Sequence, residues 1–551
     1  LTAATRSFAS LAAEIASLPA IAVHAESDAG DRADDGARPG AAERIRGRAL
    51  DFILSFLDTP CPPALLAAAR HGVWAYRFGD WIRYRGAPAG FWEVYDGEPV
   101  TAALLVRLQR APDEVIVLRE GHLRTDLRSP ANNREQLIAR VTHWPAQVCI
   151  DLRNGVRERL TAAPLVSTAA ERGAPTRAQR LALRCRIGGR AVRVALRSLL
   201  RHDQWNIGRV DRPIASFLRG GVPAPVEWLK APGRSAFHAD PFGVWREGRL
   251  TILYEHFDYR TNRGTIAAVQ VAGGSSVGTA GASGGDSGDG SQGDGVGRGG
   301  GDISDGDGVG GGGEGGVGDG GVGDGGGGFG GGGARVGVRI GPEPAVHLSY
   351  PYLVEADGRL LCIPETHEAA EVGLYALERF PDRWIKVADL LTGVRIVDAT
   401  LFRHGEHWWL AGSEPTGLTY ELNLWYASAI AGPWHPHPAN PVKMDVRSAR
   451  PGGTPFHADG VLYRPAQDCS RTYGGRIILN RVLTLTPTDF REEQAATVEP
   501  DPAGPFPAGV HTLSRVGEQT LIDGKRVIFS PPEFRRVFAL YLGKLARRRR
   551  A

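Results

Sequence analysis

Asp240, Glu365 and Asp398, with Glu255, Tyr350, Arg450 and His511, are the residues in this sequence best suited to chemistry. Asp240, Tyr350, Asp398, Arg450 and His511 stand at or just before apolar segments, and Glu255 and Glu365 end the segments that return. If those segments run side by side around an axis, all seven side chains gather at one mouth. Carboxylates, an arginine, a histidine and a tyrosine around one pocket suit sugar hydroxyls or a phosphate-linked sugar, with Trp245, Trp408 and Trp409 nearby for stacking. Carboxylates crowded in a partly desolvated pocket repel one another. At least one should then keep its proton while another stays charged, the arrangement glycosyl chemistry uses. Asp240, Asp398 and Glu365 are the candidate catalytic set, and Glu255, Tyr350, Arg450 and His511 the candidate substrate-binding set. The competing reading is structural. Asp240 before Pro241 caps a turn, arginines such as Arg450 satisfy each carboxylate separately, and the tryptophans fill the core.

The elements that must position these residues repeat. Apolar strand, glycine turn and second apolar strand recur around Gly248, Gly358, Gly405, Gly460 and Gly517. With one low-complexity insertion set aside the period is roughly fifty residues, as for the four-stranded blades of a β-propeller. Glycine recurs because a tight hairpin needs positive φ at its turn. The fold expected is therefore mainly β, a five-bladed β-propeller. Trp205-Asn206-Ile207-Gly208 reads as a short strand that pairs with the last blade and closes the ring, removing a free sheet edge.

Composition narrows the function classes. The 551 residues suffice for two or three domains, and a net charge of +4 predicts neither nucleic acid nor an acidic partner. The basic ending Arg547-Arg548-Arg549-Arg550 reads as a solvated tail. Five scattered cysteines without metal-ligand spacing point to a reducing compartment and away from a structural zinc site; no metal is expected. No apolar run is long enough to span a membrane, and Phe8 to Val23 lacks the basic start of a signal peptide. A cytoplasmic location is the expectation.

Residues 1–46 read as a disordered lead-in. From Leu50, short apolar strands alternate with helices. Phe52 to Phe56, Gly72 to Tyr76, Thr101 to Leu108 and Glu114 to Leu118 are strands, and Pro63 to Arg70 and a segment from Phe91 are helical, an α/β unit over 47–165. Residues 166–202 are a linker and a helix, Arg177 to Leu200, interrupted at Gly188-Gly189. The propeller occupies 203–545, a glycine-rich disordered insertion occupies 273–333, and 546–551 form the tail. The insertion cannot bury enough apolar surface to offset its ordering entropy.

Arg83-Tyr84-Arg85-Gly86-Ala87-Pro88, Gly97-Glu98-Pro99-Val100-Thr101 and Asp113 before Val115-Ile116-Val117-Leu118 make the α/β unit resemble part of a formyltransferase domain. That resemblance implies an Asn, a His and an Asp around a formyl-tetrahydrofolate. Only Asp113 matches. Ala75 and Arg77 fall where the Asn and His would be, so a degenerate structural or docking domain is expected. No cofactor is expected, formyl-tetrahydrofolate entering only if this domain is active.

Phe237-His238-Ala239-Asp240-Pro241-Phe242, Ser349-Tyr350-Pro351, Pro364-Glu365-Thr366, Val397-Asp398-Ala399-Thr400, Ser448-Ala449-Arg450-Pro451-Gly452-Gly453 and Tyr463 to Ser470 carry a second resemblance. The region is similar to the N-terminal domain of plant glucosamine inositolphosphorylceramide transferases and bacterial relatives. In the plant proteins a separate C-terminal domain is expected to perform transfer, so the resemblance implies recognition of a glycan or glycolipid head group. More remotely the propeller resembles those of arabinanases and invertases, whose base and second aspartate match Asp240 and Asp398. Arg450 and Gly453 stand where their acid glutamate would be, which leaves Glu365 as a substitute. The reading is thus a glycan- or glycolipid-directed propeller fused to a degenerate formyltransferase-like domain, acting in bacterial surface-glycan or glycolipid metabolism. The alternatives are a glycosidase or glycosyltransferase using the propeller carboxylates, a sugar-amine N-formyltransferase, and a protein-binding scaffold.

Overall fold

A computed structural model describes residues 41–548 except 57–60, 87, 224, 273–334, 343–344 and 416–419. The glycine-rich insertion, most of the lead-in and the last three residues of the chain lie outside the described residues. The chain is mainly β, built from successive antiparallel sheets.

The N-terminal unit is a sheet in which Ile53–Ser55 lies parallel to Val73–Phe78, and Val100–Leu108, Glu114–Arg124 and Leu165–Val166 add antiparallel. Helices Pro130–Val141 and Trp144–Arg153 cover one face, burying Leu137, Val141, Trp144 and Val148 against Trp74, Leu105 and Leu118. Ser129 starts the first of them by accepting from the Asn132 amide, with Pro130 next, where a missing N–H costs nothing. The segment expected to be a linker is stapled down instead. Leu165–Val166 extends the sheet and Glu171–Arg172 pairs with Arg85–Gly86, because backbone groups laid on a sheet edge gain ladder partners.

Arg177–Leu200 is one unbroken helix, so the expected interruption at Gly188-Gly189 is corrected. Two glycines cost a helix about 2 kcal/mol together. The capping box of Thr176 and Gln179 and the packing of Leu183 with Phe91, Trp92 and Val94 offset that cost.

Five antiparallel sheets follow. Sheet one runs from Ala236–Arg246 to Arg335–Gly337, sheet two from Ser349–Ala356 to Arg383–Thr392, and sheet three from Val397–His404 to His435–Pro436. Sheet four runs from Phe456–Ala458 to Phe490–Val498. Sheet five joins Leu513–Val516 and Gln519–Ile528 to His202–Val210 and Glu227–Trp228. The strand around Trp205 therefore pairs with the end of the chain, as its sequence led us to expect. Each glycine named above lies between the first two strands of its sheet with positive φ, from 59° at Gly517 to 76° at Gly460. At Glu247, Asp357 and Asp459 the preceding residue has positive φ too, the signature of a type I′ hairpin.

First strands of neighbouring sheets touch one another. Phe242 meets Tyr350 edge-on and Tyr350 bonds Thr400. Arg450 pairs with Asp398, Gly453 bridges to Leu513, and the Asp240 amide bonds Asp523. The described residues end in a helix, Pro531–Arg548, where the last of the propeller (to 545) and the start of a basic tail (546–551) were expected. Its apolar residues recur at Phe534, Phe538 and Leu542, the four-residue step of a helix face.

Candidate functional site

Sheets one, two and three place their first polar residue by the same device. The register of each opening hairpin slips by one residue, between Ala239 and Phe242, Ser349 and Tyr352, and Val397 and Thr400. At each slip the residue has left-handed φ: 53° at Asp240, 43° at Tyr350 and 53° at Asp398. Such a bulge re-aims a side chain, and a non-glycine residue held there stores on the order of 1–3 kcal/mol of strain. In sheet four the matching place is Gly453, at φ 126°, where a Cβ would lie 1.9 Å from the Leu513 carbonyl oxygen.

The second strands supply a matching tier. Glu255 faces Ala239, Glu365 faces Ser349, and Ser413 faces Val397. The Gln467 amide donates to the Arg450 carbonyl, and the Asp523 carboxylate accepts from the amides of His511 and Thr512. All of these second-strand residues are buried. Two of the carboxylates also reach the next sheet. Asp523 accepts from the Asp240 amide at 3.2 Å, and Glu365 from the Asp398 amide at 3.0 Å.

Around Asp240 the arrangement is an Asp–His–Asp cluster. His511 Nε2 lies 3.3 Å from Asp240 Oδ1, and its Nδ1 lies 2.6 Å from Asp523 Oδ2. Thr512 donates its hydroxyl to Asp240 at 2.8 Å. Trp205 lies against the imidazole at 4.0 Å, and Tyr473 meets it edge-on at 5.3 Å. Burial pushes the Asp240 carboxyl up to about 7, and Asp523 and Asp398 add to the push while His511 resists it. Burial alone would lower His511, but Asp523 and Asp240 outweigh it and favour the imidazolium. Ligand atoms of Asp240, His511 and Asp523 lie within 4.8 Å of one another, so this cluster is also where a metal ion would find ligands. The sequence pattern pointed to no metal, since these three ligands meet only when sheets one and five join.

Around Asp398 the partners are different. Arg450 forms a two-point ion pair with it, Gln467 donates to it at 3.1 Å, and Tyr420 and Tyr473 lie on the guanidinium at 5.1 and 4.9 Å. Burial still leaves Asp398 above its ordinary value, with Arg450 pulling the other way. Glu365 goes down. Burial is outweighed by its 2.9 Å contact with His367 and by Arg450, so it stays charged. Glu255, 3.4 Å from His347, is driven well above the carboxylate range by burial and by Asp240, Glu365, Asp398 and Asp523.

Asp240, Asp398, Glu365, Glu255, Arg450 and His511 are thus brought together. Tyr350 plays another part from the one expected. Wholly buried, it spans from sheet two to sheet four, where its hydroxyl accepts from the Gly453 amide at 2.9 Å. That phenol braces the sheets, since its oxygen is committed to the Gly453 amide and the Thr400 hydroxyl. Trp409 is core, as its structural reading held. Asp113 lies far along the chain in the N-terminal unit, where its carbonyl accepts from Trp81 and from the Ser167 amide. Asp523, Trp205, Tyr473, Gln467, His347 and His367 were not named as site residues from the sequence. Asp523 had a weaker signal: an acid follows its turn glycine by six residues, where Glu255 and Glu365 follow theirs by seven. A cavity of about 1010 Å³ lies beside the ring, walled by Trp228 and Phe506 and touching Asp523. It meets the acids only there, so the chemistry is assigned to the ring rather than to the cavity.

The family described as "Glucosamine inositolphosphorylceramide transferase 1, N-terminal" matches residues 324–502. Glucosamine inositolphosphorylceramide transferase 1 of Arabidopsis thaliana is 36% identical over 159 residues, which are 28% of this chain and 21% of that protein. Its counterpart in Oryza sativa subsp. japonica is 35% identical over the same length. The aligned part is thus about a fifth of each curated relative. Among solved structures, a family 117 glycoside hydrolase from Zobellia galactanivorans aligns at 10% identity and a TM-score of 0.33, covering 61% of this chain and 92% of that one. The α-L-arabinanase of Cellvibrio cellulosa aligns at 11% and 0.30, covering 50% and 86%. Through residues 324–502, which include Tyr350, Glu365, Asp398 and Arg450, the chain resembles the N-terminal domain of glucosamine inositolphosphorylceramide transferase 1.

Proposed function

We propose that the five sheets form a five-bladed β-propeller whose acidic ring binds the head group of a glycan or glycolipid. The observation that carries this reading is the gathering of Asp240, Glu255, Glu365 and Asp398 with Arg450 and His511 where the sheets meet. Burial pushes Asp240 and Glu255 toward the protonated form, while His367 and Arg450 hold Glu365 toward the charged one. Protonated acids donate to sugar oxygens and charged ones accept from sugar hydroxyls, so one ring offers both. The likeness to a transferase named for a glucosamine and an inositolphosphate supports an amino sugar or inositol phosphate as ligand.

Residues 47–165 serve in this reading as a docking domain without formyl transfer. Ala75 and Arg77 lack the required side chains. The unit is also fastened to sheet three and the loop that follows it, by Arg140 to Glu421 and by Gln147 to the carbonyls of Ala439 and Asn440. A second reading, glycoside cleavage, is favoured by Glu255 alone, the carboxyl best able to donate a proton to a leaving oxygen.

Titration of glucosaminyl inositol phosphate and a panel of amino sugars into the full chain tests the first reading. Asp240→Asn and Glu365→Gln should each weaken binding about tenfold or more, Asp240→Asn with melting near neutral pH unchanged or raised. Unchanged binding together with a large stability loss would sink the sugar site. Release of aryl glycosides, lost in Glu255→Gln, would establish the second reading.

A further inference from the structure

We propose that the helices Arg177–Leu200 and Pro531–Arg548 form a docking surface for an anionic lipid bilayer. The first helix carries seven arginines and no acidic residue. Leu183 faces the protein, and Arg186 and Arg190 reach back to the carbonyls of Tyr95 and Val94 at 2.7 Å. The far side is apolar and bare. Val192, Leu196 and Leu200 step by four residues and are 63%, 55% and 52% exposed. Leu181, also 63% exposed, lies about three turns before Val192 on the same side, and exposed Cys185 lies between them. Exposed Arg180 and Arg184 edge this stripe on one side and Arg193 and Arg197 on the other. None of the four has an acidic partner among the described residues.

The second helix lies against the first, with Tyr541 OH 3.1 Å from Ser198 Oγ. It adds exposed Phe538 and Leu542, and Phe534 stacks on Phe538. Its one acidic residue, Glu533, is paired with Arg536. The sequence then runs on through Lys544 to Arg547-Arg548-Arg549-Arg550.

An aliphatic stripe bordered by arginines matches the interface of an anionic membrane. The stripe enters the acyl boundary and the guanidinium groups meet lipid phosphates. Nucleic acid would use the arginines but leave the aliphatic stripe in water. No helix among the described residues is long and apolar enough to cross a membrane, so the contact is interfacial.

The placement relative to the ring follows from register. First strands run from the acids to the glycine turn, and second strands return. His202 pairs with Ile528, beyond Asp523 on the return. One helix ends two residues before His202 and the other begins three after Ile528, so both leave sheet five at the end where the acids lie.

Co-sedimentation of the full chain with phosphatidylcholine vesicles, with and without phosphatidylserine, tests the surface. These vesicles hold no glycolipid, so the result is independent of what the ring binds. Binding should require phosphatidylserine and fall as salt rises from about 0.1 to about 1 M. Leu196→Gln with Leu200→Gln should lower partition about tenfold, and Arg193→Gln with Arg197→Gln should flatten the salt dependence, melting being unchanged in both. A polarity-sensitive dye on Cys185, with Cys61 and Cys149 changed to serine, should shift to the blue on anionic vesicles. Failure to bind them, binding indifferent to both double variants, or an unshifted dye would overturn the proposal. So would a dimer that Leu196→Gln with Leu200→Gln makes monomeric, or a preference for nucleic acid over vesicles.

Discussion

Asp240 and Asp398 share a backbone and differ in everything else. Both sit at a one-residue slip in the opening hairpin of a sheet, both at φ 53°, and both are buried. Asp398 meets a guanidinium and a carboxamide. Asp240 meets an imidazole already shared with Asp523. A permanent cation is bound to the first. The second faces a base whose charge depends on the same protons that Asp240 holds. The same backbone geometry therefore serves an anchored ion pair in one sheet and a carboxyl that burial pushes toward its protonated form in another. The position is set by the bulge and the chemistry by the neighbouring sheet.

The largest expected effect breaks the anchored half. Arg450→Met leaves Asp398 buried without its cation and should cost about 3–5 kcal/mol in chemical denaturation. A loss below about 1 kcal/mol would show that Asp398 is satisfied without the ion pair.

Next, pH separates the two halves. The Asp240 carboxyl, at about 7 when folded, lies above its ordinary 3.8, so the folded state holds a proton there that the unfolded chain releases. Stability from this group is complete below about pH 4 and is lost as pH rises through about 7, by roughly 4 kcal/mol at most. Melting of the wild type relative to Asp240→Asn should therefore decline between about pH 4 and about pH 7. A flat difference would mean Asp240 is charged throughout, like a conventional partner of His511.

The smallest effect probes the cover that both halves share. Tyr473 is 37% exposed yet touches both Arg450 and His511, which are buried. Tyr473→Ala should cost about 1 kcal/mol and speed acylation of His511 by diethylpyrocarbonate, read by peptide mass. An unchanged rate would place the approach to the ring elsewhere, with the cavity at Asp523 the next candidate.

Much of this comparison is legible in the chain's residue types and their spacing. Glycine at the five turns, and the small or polar residues before each first strand, report local backbone needs, and positive φ selects residue types whatever surrounds them. The pairing of the Trp205 strand with the last strand of the chain is legible because an unpaired edge needs a partner. Other features are not. Gly188-Gly189 resembles a break when propensity is weighed without the cap and packing that override it. Tyr350 resembles a ligand residue because its position matches Asp240 and Asp398, while its length carries its hydroxyl across to Gly453.

The sequence by itself determined the repeat, the turn geometry and the place of each acid at the start of a first strand or the end of a second, since all of these are short-range. Only the tertiary structure decided which acid holds a proton. Asp523 lies 283 residues from Asp240 and Arg450 lies 52 from Asp398, and they meet only through contact between sheets. Protonation depends on burial and on charges a few ångströms away, and neither quantity exists until the sheets pack.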